Sequence, residues 1–425
     1  MVLSLMEDCL DFIQASPTSF HTCNTLEMRL EKKGFLRLSE KEAWNLSPDK
    51  RYFISRNNSS VVAFFTGLRK PWESGFSLAG AHTDSPGLKI KNNSLEESIQ
   101  GKRVTLEVYG NPIISSWLDR ELFIAGILYY KDQEGLKEHL LYSEKPLAVI
   151  PNLAIHLNRE INNGFEYNRQ VHLPALLTAG QGKRSPTLFH FLEQEAGLAG
   201  MDILDADLFL CDGTRGNLLG SEKGLVVSPR LDDLAMVHAI QKALIETGEG
   251  EKTRIGFFMD NEEIGSRTWQ GADSSFLSSV LERIVLGLGG GREEYLRALS
   301  LSFLISADSA HGIHPNYPDK HDPDYAPKLN EGPVIKYNGL QRYATTSKSA
   351  AFFMELCSRA GVKYQKFLNR SDMQSGQTIG AMTSALLGMP AVDVGNPILA
   401  MHSVRETAGV QDHEAIIKVF REFYK

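Results

Sequence analysis

Apolar residues recur at helical spacing at Leu3, Met6, Leu10 and Ile13, so they share one face of a helix. Ser16-Pro17-Thr18 punctuates that run, and a second helix is expected to reach Lys33, with Gly34 as its stop. Tyr52–Ser55 and Val61–Phe65 read as strands, and Asn57-Asn58 between them is a hairpin signal. Ser77–Ala81 reads as a strand of small residues that delivers His82. From about Lys91 the texture changes. Val104, Leu106 and Val108 alternate with polar positions, as in a half-buried antiparallel strand. Phe123–Tyr130, Leu140–Tyr142 and Leu147–Ile150 continue the short strand-like runs, and long helical patterns are scarce until Thr187–Glu195. Leu208–Cys211 and Leu225–Val227 are again strand-like.

After Asp232 helices and strands alternate. Leu234, Val237, Ile240, Ala243 and Leu244 mark a helix, Ile255–Met259 a buried strand, and Phe276, Val280, Ile284 and Leu288 a helix that stops at Gly289-Gly290-Gly291. Leu301–Ile305 is expected as a strand, Ala350–Ala360 as a helix, Tyr364–Leu368 as a strand, Thr378–Leu387 as a helix and Ala391–Val394 as a strand. The last helix is expected from about Asp412 to Tyr424, with Ile416, Val419, Phe420 and Phe423 on one face. Alternation of this kind implies an α/β fold with a mostly parallel sheet sandwiched by helices. The expected division is an α/β domain from residues 1–90 and 229–425, interrupted by a β-rich domain over 91–228.

The length of 425 residues suits two domains better than one core. A net charge of -7, with no basic arm, argues against nucleic acid as a partner. No apolar run approaches the roughly 18 residues of a transmembrane helix, and Met1–Asp11 lacks the basic start of a secretory signal. Cys9, Cys23, Cys211 and Cys357 are scattered without a CxxC pair, so they read as reduced thiols of a cytoplasmic protein.

The chemistry gathers at predicted strand ends. Phe258-Met259-Asp260-Asn261-Glu262-Glu263-Ile264-Gly265 is an apolar run that ends in paired glutamates and a glycine. Ligands bind at the carboxyl ends of strands in open α/β sheets. There, adjacent carboxylates can divide labour between an ion and a proton. Each candidate alone has an ordinary explanation. Glu262-Glu263 could be a solvated turn, Asp232 or Asp233 a helix cap, and Asp308 a turn residue. His82 could be a surface histidine and His402 a hydrogen-bonded core one. Together they supply two histidines, two aspartates and two glutamates to one sheet edge. Two divalent ions need a bridging carboxylate and about two further ligands each, and zinc accepts such donors. That leaves one glutamate as a base. Asp84, two residues after His82, is of the type that fixes a ligand imidazole through its other ring nitrogen.

The motifs are similar to those of the aspartyl aminopeptidase family of dinuclear zinc aminopeptidases, which includes vacuolar aminopeptidase I. They run through most of the chain: Gly80-Ala81-His82-Thr83-Asp84-Ser85-Pro86, Trp117-Leu118-Asp119-Arg120, Ala154-Ile155-His156-Leu157, Pro229-Arg230-Leu231-Asp232, Asp260 to Ser266, Asp308 to His311, and Leu399 to Glu406. The resemblance implies that His82 and Asp308 hold one zinc, Glu263 and His402 the other, and that Asp232 bridges them. It implies Glu262 as general base and acid, and Asp84 as the residue that orients His82. It also implies that His156 reaches a neighbouring subunit's active site, where it can stabilise an oxyanion. The expected assembly is a tetrahedral dodecamer built from dimers that form through the β-rich domain, acting on peptides with a free N-terminus.

The chain departs from the family pattern at Asn111-Pro112-Ile113-Ile114, where glycines are frequent, at Asp233 and at Gln374-Ser375. Preference for acidic N-terminal residues needs a cation in the pocket, and Lys336 and Arg370 are the candidates. A preference for apolar residues is the alternative, as is a related amidohydrolase or deacetylase; a metal-binding scaffold would leave Glu262 without purpose. Cobalt or manganese could replace zinc at N/O donors.

Overall fold

In the computed structural model, which describes residues 2–92, 94–179, 187–195, 200 and 202–425, the α/β part is built on a nine-stranded sheet. Its order is Leu36–Arg37, Arg51–Arg56, Ser60–Phe65, Thr253–Met259, Phe76–His82, Phe303–Ala307, Ala391–Gly395, Val334–Lys336 and Gln365–Phe367. Thr253–Met259, Phe76–His82, Phe303–Ala307 and Ala391–Gly395 form a parallel block at its centre. These strands are apolar on both faces because both are covered. The small residues of Phe76–His82 have a steric cause: a Cβ on Gly80 would lie 2.0 Å from the Phe257 ring.

Helices Val2–Gln14, Ser19–Glu31, Leu231–Glu246, Ser347–Ala360 and Val410–Phe423 contribute to the core on one face. Phe276–Gly287, Arg292–Ser300 and Ile379–Leu387 pack on the other. Arg292–Ser300 was not expected from the apolar pattern, because only Tyr295, Ala298 and Leu299 of its nine residues are buried. The glycine run is a junction between two helices: Gly291 caps the second, and its N–H donates to Glu294 Oε2 at 2.9 Å.

A second, five-stranded sheet runs in the order Gly135–Tyr142, Phe123–Asp132, Asp202–Cys211, Gly87–Ile90, Leu106–Tyr109, all antiparallel. It has its own core around Leu88, Ile124, Leu128, Leu208 and Leu210. The alternation at Val104–Val108 is split, since Lys102–Val104 belongs to a separate three-stranded sheet. Leu147–Ile150 makes only isolated bridges, Leu122 with Ala148 and Val149 with Leu176, and is not a regular strand.

A third sheet contains Asn217–Leu219, Leu225–Ser228, Glu406–Gly409, Pro397–Leu399 and Ala310–His311. Its register sets Ser228 opposite Glu406. The segment that leads to Asp232 therefore lies beside the one that carries His402.

Phe258 is fully buried under the helical layer. Phe258→Ala is expected to cost about 3–5 kcal/mol, read as a lower urea midpoint, whereas Leu340→Ala, at a position 83% exposed, should leave the midpoint in place.

Candidate metal centre

Phe76–His82 and Thr253–Met259 pair with Met259 opposite His82, so they end level and release His82 and Asp260–Glu263 side by side. Phe303–Ala307, on the other flank of Phe76–His82, delivers Asp308. Asp232 enters at the start of Leu231–Glu246, and His402 sits on the turn between Pro397–Leu399 and Glu406–Gly409. Left-handed backbone recurs in these loops, at Arg230 with φ 56°, Asn261 at 64°, Ala400 at 56° and His402 at 67°. Such conformations are strained for side chains with a Cβ and persist where surrounding contacts enforce them.

His82, Asp232 and Asp308 bring ligand atoms within 4.8 Å of one another; so do Asp232, Glu263 and His402, and so do His82, Glu262 and Glu263. Asp232 is common to the first two groups. Its Oδ1 lies 3.6 Å from His82 Nε2, and its Oδ2 lies 3.7 Å from His402 Nε2. Glu263 Oε1 is 3.4 Å from the same His402 nitrogen. Two donors on one tetrahedral zinc stand roughly 3.3 Å apart, so the donor set and its spacing fit shared ions. Asp232 Oδ1 is buried with no hydrogen-bond partner among the described residues, which an ion would supply.

The imidazoles face the right way. His82 Nδ1 donates to the Asp84 carbonyl at 3.0 Å, and His402 Nδ1 donates to the Asn111 carbonyl at 3.0 Å. A carbonyl can only accept, so each Nδ1 carries the hydrogen and each Nε2 can offer its lone pair to an ion. Asp84 also accepts the Glu262 and Glu263 N–H groups at 3.1 and 3.2 Å and the Tyr109 hydroxyl at 2.7 Å.

The site is short of positive charge. Burial raises Glu262 to about 8, opposed by His82 and reinforced by Asp308, Asp84 and Asp232. Burial, then Asp232, pushes Glu263 well above the usual carboxylate range. Burial, then Asp308 and Asp232, does the same to Asp233 against His82. Burial disfavours the His82 imidazolium, yet Asp232 and Asp84 outweigh it and hold its pKa well above the ordinary value. Divalent ions would relieve this crowding.

Lys336 joins the cluster. Its buried ammonium lies 3.0 Å from Asp308 Oδ1 and keeps its proton because Asp308, then Tyr343 and Asp393, outweigh the burial. A cavity of about 740 Å³ opens on the cluster, walled by Glu262, Asp308, Lys336, Phe367, Met382 and His402 among others. Arg370 is not brought there. It lines the neighbouring cavity, paired with Asp372 at 2.8 Å, and donates to the Asp319 carbonyl. His156 is exposed and lines neither cavity of its own chain.

Glu406 and Tyr109 are functional neighbours that sequence reasoning did not single out. Glu406 Oε2 accepts Asp232 N–H at 2.9 Å and its Oε1 accepts His402 N–H at 2.8 Å, so one carboxylate fixes the backbone of both residues. Its place four residues after His402 was the available signal. Nothing in the sequence pairs Tyr109 with Asp84.

A model of the aminopeptidase I zinc metalloprotease (M18) family matches residues 12–424. A curated relative from Clostridium novyi, described as "Probable M18 family aminopeptidase 2", is 46% identical over 427 residues, 99% of each chain. A protein of the same description from Azotobacter vinelandii is 43% identical over 429 residues, 100% of this chain and 99% of its own. Among solved structures, a chain of the cryo-EM structure of the Ape4 and Nbr1 complex superposes with a TM-score of 0.95 at 35% identity, covering 100% of this chain and 86% of that one. The S. cerevisiae mApe1 dodecamer gives a TM-score of 0.84 at 29% identity, over 98% of this chain and 95% of that one.

With Glu262 at about 8 against an ordinary 4.5, the ion-free folded chain holds more protons than the unfolded chain between those values. Its stability therefore falls as pH rises through that window. An incoming ion must displace the protons, so zinc affinity is expected to rise with pH. Calorimetric zinc titrations at about pH 6 and about pH 8 should show tighter binding and less proton release at the higher pH; equal affinity at both would contradict the protonation assigned to Glu262.

Proposed function

The chain belongs to the aminopeptidase I zinc metalloprotease family, M18, and from that premise we propose that it removes Asp and Glu from the free N-terminus of peptides at a two-zinc centre. The family makes it a zinc-dependent aminopeptidase. One observation supports the two-ion reading: two ligand groups share Asp232, while Glu262 stands beside them. In this reading His82 and Asp308 hold one ion, Glu263 and His402 the other, and Asp232 bridges. Cobalt or manganese would be accepted by the same donors.

Zinc bound there would supply Lewis acidity toward the scissile carbonyl and make a nucleophile available at neutral pH. Glu262, half-buried at the cavity wall, would take the proton of the attacking water as its oxygen bonds to the carbonyl carbon. The same proton then goes to the amine nitrogen as the C–N bond breaks. Asp84 would hold His82 and the Glu262–Glu263 turn in place. The acidic centre would receive the substrate's free α-amine, which selects exopeptidase action. A substrate Asp or Glu carboxylate would meet Lys336, which walls this cavity, rather than Arg370, which lines the neighbouring one.

His156 of a neighbouring subunit would stabilise the oxyanion, in keeping with its exposure in its own chain. The mApe1 structure is a dodecamer, and we extend homo-oligomeric assembly to this chain, as a dodecamer built from dimers joined through residues 91–228. Exposed Leu153, Ile155 and Leu157 beside His156 in the chain supply an apolar surface for it. Among the described residues no helix is long and apolar enough to cross a membrane, and the four cysteines are free, which supports a reduced, cytoplasmic setting.

A second reading, preference for apolar N-termini, draws on the same cavity. Lys336 is already paired with Asp308 and Arg370 with Asp372, while Phe367 and Met382 offer apolar wall.

Hydrolysis of Asp-, Glu-, Leu- and N-acetyl-Asp-terminated peptides, with zinc quantified in the same sample, separates the readings. Acidic free termini are expected to react fastest and the acetylated peptide not at all; faster Leu release would support the apolar reading. Glu262→Gln should retain zinc yet lose turnover by roughly 10²–10⁴-fold, and near-normal turnover with bound zinc would remove Glu262 from the role of base.

A further inference from the structure

Both candidate ion sites are braced by one short stretch of the β-rich part of the chain. Leu106–Tyr109 is the edge strand of the second sheet, and it pairs with Gly87–Ile90 so that Tyr109 stands opposite Gly87. The Tyr109 hydroxyl donates to Asp84 Oδ2 at 2.7 Å and accepts from Asn261 Nδ2 at 2.9 Å. Asn261 is in turn held by Thr268 Oγ1 and Gln270 Nε2, each donating to its Oδ1 at 2.8 Å. Asp84 is where these bonds take effect. It receives His82 Nδ1 through its carbonyl, with the same nitrogen 3.4 Å from its Oδ1, and it receives the two amides of the Glu262–Glu263 turn.

The next residues reach the other site. Gly110 sits at φ 67°, and a Cβ there would lie 3.2 Å from Glu263 Cβ and 3.4 Å from Pro86. The Asn111 carbonyl accepts His402 Nδ1–H at 3.0 Å, and Ile113 N–H donates to the His402 carbonyl at 2.9 Å. Pro112 restricts the residue before it to extended backbone, which limits where the Asn111 carbonyl can point. The segment therefore touches Asp84, Glu263 and His402 without supplying a ligand itself.

We infer that Tyr109–Ile113 is a positioning element for both ion sites, so that the placement of the β-rich domain against the main sheet sets how well the centre holds zinc. Tyr109 acts through Asp84 on His82 and on the turn that carries Glu262 and Glu263. The Asn111 carbonyl fixes the hydrogen on His402 Nδ1 and leaves Nε2 for the ion. The inference rests on the metal-centre reading above and adds a domain-to-site coupling to it. An imidazole or carboxylate that loses its outer partner commonly costs a metal site 10–100-fold in affinity or activity. Any displacement of the second sheet would loosen both sites together, because both braces lie within five residues of one strand end.

Tyr109→Phe is the direct test, because the ring keeps its edge-on contact with Phe209, at 5.5 Å and 90°, and only the hydroxyl is lost. Zinc affinity, measured on the full chain by competition with a chromogenic chelator, is expected to fall roughly 10–100-fold, with kcat reduced and KM little changed. Pro112→Gly, which frees Asn111, should weaken one of the two bound ions more than the other. Glu107→Gln, on the exposed side of the same strand, should match the wild type in both measurements. Wild-type zinc affinity and kcat in both Tyr109→Phe and Pro112→Gly would overturn the inference while leaving the metal centre intact. Failure of the wild type to bind zinc would overturn the metal-centre reading, and the inference with it.

Discussion

Asp232 turns one carboxylate oxygen toward each of two histidines, at 3.6 and 3.7 Å, beside the crowded carboxyl groups of Glu262, Glu263, Asp233 and Asp308. Buried carboxylates repel one another unless they are protonated or compensated by cations. Without ions, protons held on Glu262 and Glu263 ease that repulsion, and the surrounding fold keeps the cluster together. Glu406 does so at the backbone, accepting the N–H groups of Asp232 and His402, while Ser85 Oγ donates to the Asp232 carbonyl at 3.0 Å.

The architecture follows from that need. A parallel sheet ends its central strands on one edge, which places His82, Glu262, Glu263 and Asp308 together through short local loops. Asp232 and His402 do not lie on those loops. The third sheet brings them in by aligning Leu225–Ser228 with Glu406–Gly409. The left-handed residues Arg230, Asn261 and His402 mark where the chain bends into positions that the nearby hydrogen bonds enforce. The five-stranded antiparallel sheet adds the last constraint, since Tyr109 at the end of its edge strand and Asn111 just after it contact outer atoms of this cluster.

The alternation of helices and strands after Asp232 was legible because periods of two and 3.6 residues follow directly from backbone geometry. The parallel block and its layers follow from the apolar runs at Ile255–Met259 and Ala391–Val394. Legibility failed where burial was slight or divided. Arg292–Ser300 buries three side chains, Val334–Lys336 is three residues long, and Val104–Val108 is shared between two sheets. Among the cations, Lys336 and Arg370 were equal candidates in sequence. Only the packing separates them, with Lys336 buried against Asp308 and Arg370 beside Asp372 in the next cavity.

By itself the sequence determined the kinds of donor available, since histidines and carboxylates were placed after apolar strands by local pattern and motif alone. It also determined which stretches would be covered on both faces. The tertiary structure decided which donors share an ion-sized gap, which imidazole nitrogen faces it, and that Glu406 and Tyr109 hold the set in place. Those outcomes depend on strand register and on contacts between residues as far apart as Asp232 and Glu406, or Tyr109 and Asn261. Local periodicity carries no information about such pairs, because it sets which way a side chain turns from its own element and leaves open which distant element it meets.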